Sequence, residues 1–141
     1  MEKIINYDNL RNFCYSNDKL LTESVKGIVL DFKGLGFSNM FNSDSDDAIN
    51  YAKKGIIYVI PYYNPWAWMN IQTVNFVDEI IGVLINQYNL TESNVKIVSS
   101  GESMGGLSAL VYCAYPTLIR WWKENLELCA SITRRSRSFW R

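Results

Sequence analysis

Three short, largely apolar runs dominate the hydrophobic pattern of this chain, at residues 27–32, 56–60 and 95–100. Each run is rich in β-branched side chains and is followed within two residues by glycine or proline. Runs of this length between turn residues are typical of buried strands. The segments between them show helical spacing instead, so the pattern predicts strands that alternate with helices.

The helical segments carry start and stop signals. A helix over residues 43–54 has Ser45 or Asp44 as its cap. Gly55 stands where such a helix would stop. Asn70 can cap a longer second helix, whose apolar face comprises Val74, Val77, Ile81, Leu84 and Tyr88.

A third helix, made of small residues, covers residues 107–115 and ends at Pro116. The order of strands and helices predicts an α/β fold with an open, mostly parallel sheet of three recognisable strands flanked by helices. The connections between parallel strands should be right-handed crossovers.

The two ends of the chain differ from this α/β unit. Residues 1–26 are polar and broken, and we expect a short helix over residues 8–14. Beyond the α/β unit we expect a further helix over residues 117–129 and a basic tail over residues 131–141. No strand pattern follows residue 100, so the C-terminal half of the sheet is expected to be missing. The predicted segments are residues 1–26, 27–115 and 116–141.

Composition narrows the class of protein. The net charge is zero, with 14 basic and 14 acidic residues, so we expect neither a nucleic-acid nor a membrane partner. The three cysteines are widely spaced, which argues against a disulfide framework and a zinc site. We expect no metal and no cofactor. The N-terminus has no apolar run that resembles a signal peptide, so the expected location is the cytoplasm.

The pentapeptide Gly101-Glu102-Ser103-Met104-Gly105 directly follows the third predicted strand. In a nucleophile elbow, a serine occupies a sharp strand-to-helix turn, and flanking glycines leave room for that turn. We therefore expect Ser103 to be a nucleophile. The alternative is a tight turn whose serine merely caps the helix.

The loop after the first predicted strand, Lys33-Gly34-Leu35-Gly36, supplies a second element. Acyl transfer needs two backbone N–H donors aimed at the developing oxyanion. We expect one from Met104 and the other from Leu35, with Gly34 as the next choice. A plain strand-to-helix turn is the alternative.

Trp66 and Trp68 are candidates for a substrate pocket or for packing on the sheet edge.

Taken together, residues 28–39, 61–70 and 96–115 resemble the N-terminal half of an α/β-hydrolase, closest to bacterial esterases and prolyl-oligopeptidase-like serine hydrolases. The resemblance covers about residues 7–115. It implies a serine hydrolase acting on a small-molecule carboxylic ester or a peptide bond, with Glu102 as a specificity or packing residue. Such families often place His-Gly-x-Gly in the oxyanion loop, where this chain has Lys33 in the histidine position.

The partners of the serine are the main departure from this resemblance. The family order is serine, acid, histidine, yet the chain contains no histidine, and its acids after Ser103 are Glu124 and Glu127. A serine is a weak nucleophile without a base. Lys33 could serve as one only if it were buried and neutral. We therefore expect a truncated or frameshifted form, weakly active or inactive.

Two other functions remain open. The same fold could be a non-catalytic module that binds a ligand or a protein. A nucleotide site is the second, since Gly34-x-Gly36-x-x-Asn39 follows a strand, although a third glycine and a downstream acid are absent. Exposed aromatic residues near the C-terminus would favour self-association; they are Trp121, Trp122, Phe139 and Trp140.

Overall fold

A five-stranded sheet with helices on both faces forms the body of the computed structural model. The structure describes residues 4–35, 41–91, 95–114 and, as backbone, 126–131. The strands are β1 (Cys14–Ser16), β2 (Gly27–Phe32), β3 (Ile56–Pro61), β4 (Lys96–Glu102) and β5 (Leu126–Ser131).

The strands lie in the order β1-β3-β2-β4-β5, and β1 is antiparallel to β3 while the other neighbours are parallel. From β2 the chain passes to β3 on one side and then returns to β4 on the other side. The strand order therefore reverses direction between β2 and β4. In open α/β sheets, the crevice at the carboxyl ends of such a strand pair is where ligands bind.

Three helices connect the parallel strands: α1 (Asp46–Lys53), α2 (Ile71–Tyr88) and α3 (Met104–Ala114). Ser45 caps α1 by accepting a hydrogen bond from the Ala48 N–H, as one of the two predicted caps. Asn70 caps α2 in the same way through the Thr73 N–H.

Strand alternation divides the core into two layers. On one face, Ile28, Leu30 and Phe32 of β2 pack with the buried positions of α2 and α3. On the other face, Val29 of β2 packs with Ala48 of α1 and with neighbouring strand residues. Successive residues of a strand point to opposite faces, so a continuous apolar run such as residues 28–30 indicates a strand buried on both sides.

The prediction of an α/β fold with a mostly parallel sheet is confirmed, and its three strands are β2, β3 and β4. Two edge strands were missed. Residues 14–16, expected to end a helix and enter a turn, form β1, and residues 126–131 form β5 where a helix was expected up to residue 129. The expectation of no strand beyond residue 100 was therefore wrong.

The predictions for residues 116–125 and 132–141, including their aromatic side chains, lie outside the described part of the chain. Within residues 4–35, 41–91, 95–114 and 126–131, no helix combines the length and the apolar character that a membrane span needs.

Asp18 joins the N-terminal segment to the end of α2. Its buried carboxylate accepts hydrogen bonds from the hydroxyls of Tyr7 (2.6 Å), Tyr88 (2.5 Å) and Ser16 (2.7 Å) and forms an ion pair with Arg11. Burial alone would raise the pKa of Asp18, but these hydrogen bonds lower it below the ordinary value of 3.8. The ionised form of Asp18 therefore stabilises the fold.

The lowered pKa of Asp18 predicts a loss of stability in acid. A group whose pKa is lower in the folded state contributes fully above its unfolded value, here near 3.8, and loses that contribution as pH falls through the folded value. We expect urea unfolding from pH 7 to pH 2 to show this loss below about pH 4.

Asp18→Asn should flatten that acid dependence and lower the free energy of unfolding at pH 7 by about 3 kcal/mol, because it leaves Arg11 without its charged partner. The matched control is Asp8→Asn, at an exposed carboxylate of the same segment, which should change little. Equal effects of the two substitutions would contradict the role of Asp18.

Candidate active site

Ser103 lies in the turn between β4 and α3, at the carboxyl edge of the sheet. Its side chain is exposed and its φ is 58°, in the left-handed region that residues other than glycine rarely adopt. The N-caps of α1 and α2 are extended instead, with φ of −76° at Ser45 and −65° at Asn70. The backbone of Ser103 therefore differs from that of these two helix caps.

Two glycines of the elbow are required by close backbone packing. A Cβ on Gly101 would lie 2.2 Å from the Gly105 carbonyl oxygen, and a Cβ on Gly105 would lie 1.8 Å from the carbonyl oxygen of Phe32. Neither distance can be tolerated by a side chain. The first turn of α3 therefore lies directly on the ends of β4 and β2.

This packing brings the loop after β2 to the elbow. A Cβ on Gly34 would be 3.3 Å from the Glu102 carbonyl oxygen and 3.6 Å from the backbone nitrogens of Met104 and Gly105. The first N–H groups of a helix have no acceptor within that helix. The backbone of Gly34 therefore lies against the first amides of α3, beside Ser103 and between the ends of β2 and β4.

The side chain of Lys33 turns towards the α1 face of the sheet. Its ammonium lies 2.7 Å from Oδ2 of Asp31, and the hydroxyl of Tyr58 donates to the same oxygen. Burial, together with the charge of Asp31, raises the pKa of Tyr58, so the phenol stays a donor. Because the Lys33 ammonium is engaged with a carboxylate, the geometry does not favour Lys33 as the base for Ser103.

The backbone of Lys33 is held from the opposite face. The Tyr63 hydroxyl donates to the Lys33 carbonyl oxygen at 2.6 Å, and the Tyr63 ring packs edge-to-face on Phe32, with centroids 5.3 Å apart. Burial raises the pKa of Tyr63, which keeps its hydroxyl protonated at neutral pH.

The predicted site residues other than Ser103 lie in three places: at the contact of the two loops, in the loop after β3, and at the end of β4. Gly34 and Met104 are brought together, and Leu35 follows Gly34 with its side chain 48% exposed. Trp66 and Trp68 lie in the loop after β3, at the same edge of the sheet, with side chains 63% and 60% exposed. Glu102 is exposed at the end of β4.

Asp31 and Tyr63 were not predicted as site residues. Asp31 could have been found from its spacing, since residues two apart on an extended chain share a face and Lys33 has the opposite charge. Tyr63 lies in a run of aromatic residues. The sequence does not show which of these side chains makes a hydrogen bond through its polar end and which only packs.

Gly36 and Asn39, on which the nucleotide-binding alternative rests, lie outside the described residues. In the part of the chain with described side chains, no cluster of histidine, cysteine, aspartate and glutamate could hold a metal ion.

The chain matches no protein-family model, and neither a curated protein nor a solved structure matches it. What the site can do is therefore inferred from its geometry and chemistry.

The close packing of Gly105 on β2 predicts a large effect of one methyl group. Gly105→Ala should lower the free energy of unfolding by about 3 kcal/mol or more, because the new Cβ meets backbone and not a movable side chain. The measurement is urea unfolding of the purified variant beside the wild-type protein.

Gly82→Ala is the matched control. Gly82 lies within α2, and a Cβ built there meets nothing within 4 Å apart from its chain neighbours and the local helix backbone. This variant should gain about 0.5–1 kcal/mol, since alanine favours a helix interior over glycine. A Gly105→Ala protein as stable as Gly82→Ala would show that α3 does not rest on the end of β2.

Proposed function

We propose that this chain carries the nucleophile and oxyanion elements of a serine hydrolase of the α/β-hydrolase type, acting on carboxylic ester or peptide bonds. One observation carries the proposal. An exposed serine with left-handed backbone stands at the carboxyl edge of a parallel sheet, and a glycine loop from the neighbouring strand packs against the amides that follow it. A serine that merely caps a helix requires neither the strain nor the second loop.

The reaction that fits this arrangement is acyl transfer. Oγ of Ser103 bonds to the carbonyl carbon of the substrate, and the carbonyl π electrons move onto oxygen. The Met104 N–H and an N–H of the Gly34–Leu35 segment are suited to receive this oxyanion. The positive end of α3 favours the same charge. Collapse of the intermediate expels the alcohol or amine, which takes a proton from solvent, and leaves an acyl group on Ser103. Water then attacks this acyl group, which releases the carboxylic acid and restores the serine.

The proton of Ser103 needs an acceptor for this step. The chain contains no histidine, and the ammonium of Lys33 is paired with Asp31. With histidine absent and Lys33 paired, we assign solvent as the proton acceptor, which makes the nucleophile weak. Oxyanion stabilisation and binding still provide roughly 10³-fold acceleration over water in a serine hydrolase that lacks a triad member.

A fluorophosphonate probe tests the proposal on the folded protein. In this reaction Ser103 Oγ bonds to phosphorus, fluoride leaves, and the serine proton passes to solvent. We expect labelling at Ser103 about 10³-fold faster than at an ordinary surface serine, mapped by mass spectrometry. Ser103→Ala should abolish the label.

The matched control is Ser24→Ala. Ser24 is exposed, and its carbonyl oxygen lies beside Gly55 at the amino edge of the sheet, opposite the elbow. This variant should label as the wild-type protein does. A folded wild-type protein without label at Ser103 would overturn the proposal and favour a ligand-binding role for the same edge.

The pH dependence of labelling gives a separate prediction. Since hydroxide replaces a protein base, the rate should rise nearly tenfold per pH unit between about pH 6 and pH 9. A plateau near neutral pH, as a histidine base would give, would contradict the assignment of solvent as proton acceptor. The measurement is the labelling rate in buffers of constant ionic strength.

A further inference from the structure

The Tyr63 hydroxyl occupies a junction between the two loops that meet at Ser103. It donates to the Lys33 carbonyl oxygen at 2.6 Å and lies 3.1 Å from Oγ of Ser108 on α3. Because the Tyr63 proton is used at Lys33, the single Ser108 proton has two possible acceptors, the Tyr63 oxygen and, at 3.2 Å, the Met104 carbonyl oxygen. A single phenol thus connects the loop after β2 to the first turn of the helix after the elbow.

The hydrogen bond from Tyr63 acts on the peptide group between Lys33 and Gly34. A trans peptide is planar, and its C=O and N–H point in opposite directions. The hydrogen bond to the Lys33 carbonyl therefore sets the direction of the Gly34 N–H in the same plane.

The position of the phenol is itself constrained by packing. The Tyr63 ring meets Phe32 edge-to-face, and Phe32 also packs against the ring of Tyr112, with centroids 5.6 Å apart. Tyr112 is anchored by a hydrogen bond of 2.7 Å from its hydroxyl to Asp78 of α2. These contacts place the Tyr63 hydroxyl next to the loop after β2.

The Lys33 side chain holds the same residue from the other face of the sheet, through Asp31. That ion pair restrains the side chain of Lys33. The hydrogen bond from Tyr63 acts instead on the Lys33 carbonyl, and so on the peptide group shared with Gly34.

We propose that Tyr63 is a positioning residue of the serine hydrolase site, which orients the Gly34 peptide so that the loop after β2 can present an amide to the oxyanion. This inference rests on the proposed function. Tyr63 acts through the backbone of Lys33 and does not itself touch the reacting atoms.

The test compares Tyr63→Phe with Tyr15→Phe in fluorophosphonate labelling of Ser103. Both changes remove one hydroxyl that donates a hydrogen bond of 2.6 Å and leave the ring in place. Tyr15 lies on the edge strand β1, and its hydroxyl donates to Asp44. We expect Tyr63→Phe to lower kinact about tenfold with KI unchanged, and Tyr15→Phe to leave both unchanged.

A spectroscopic measurement checks the geometry without any reaction. In Tyr63→Phe, the carbonyl ¹³C resonance of Lys33 and the amide ¹⁵N resonance of Gly34 should shift, whereas Tyr15→Phe should leave both in place. Unchanged resonances in Tyr63→Phe would overturn the inference. Shifted resonances with an unchanged kinact would also overturn it, since the hydroxyl would then orient a peptide that the reaction does not use.

Failure of the proposed function has a different signature. Wild-type protein that folds but does not label at Ser103 would overturn that function, and the positioning role would fall with it. Wild-type labelling with a normal Tyr63→Phe rate would overturn the positioning role alone.

Discussion

The contact on which the site depends is the close approach of Gly105 to the end of β2. A Cβ on Gly105 would meet the Phe32 carbonyl oxygen at 1.8 Å, so this approach exists only because the residue is glycine. It places the first turn of α3 on β2 and so brings two loops, separated by about 70 residues in sequence, to one edge of the sheet. Without it, Ser103 would still follow a strand, but the amides of the loop after β2 would lie elsewhere.

The loop after β2 is then held from both faces of the sheet. On the α1 face, Asp31 pairs with the ammonium of Lys33. On the α2 and α3 face, the Tyr63 hydroxyl donates a hydrogen bond to the Lys33 carbonyl oxygen. Such fixed dipoles stabilise developing charge because they need no reorganisation during the reaction. The left-handed φ of Ser103 depends on the same packing, since backbone strain persists only where the surrounding structure enforces it.

Much of this arrangement could be predicted from the sequence because its signals are local. Apolar runs predicted β2, β3 and β4, and polar caps predicted the starts of α1 and α2. The edge strand β1 has three residues and no alternating pattern. The first four residues of β5 lie within residues 117–129, for which the sequence predicts a helix. Tyr63 could not be assigned either, since its role depends on a carbonyl 30 residues away in sequence. Pairing across such distances leaves no local pattern.

The most direct test of the proposed oxyanion site is a crystal structure of the protein phosphonylated at Ser103. We expect the phosphonyl oxygen to lie within about 3 Å of the Met104 nitrogen and of a backbone nitrogen at Gly34 or Leu35. A phosphonyl oxygen that points to solvent, with neither amide in hydrogen-bond range, would contradict the assignment of these loops as an oxyanion site.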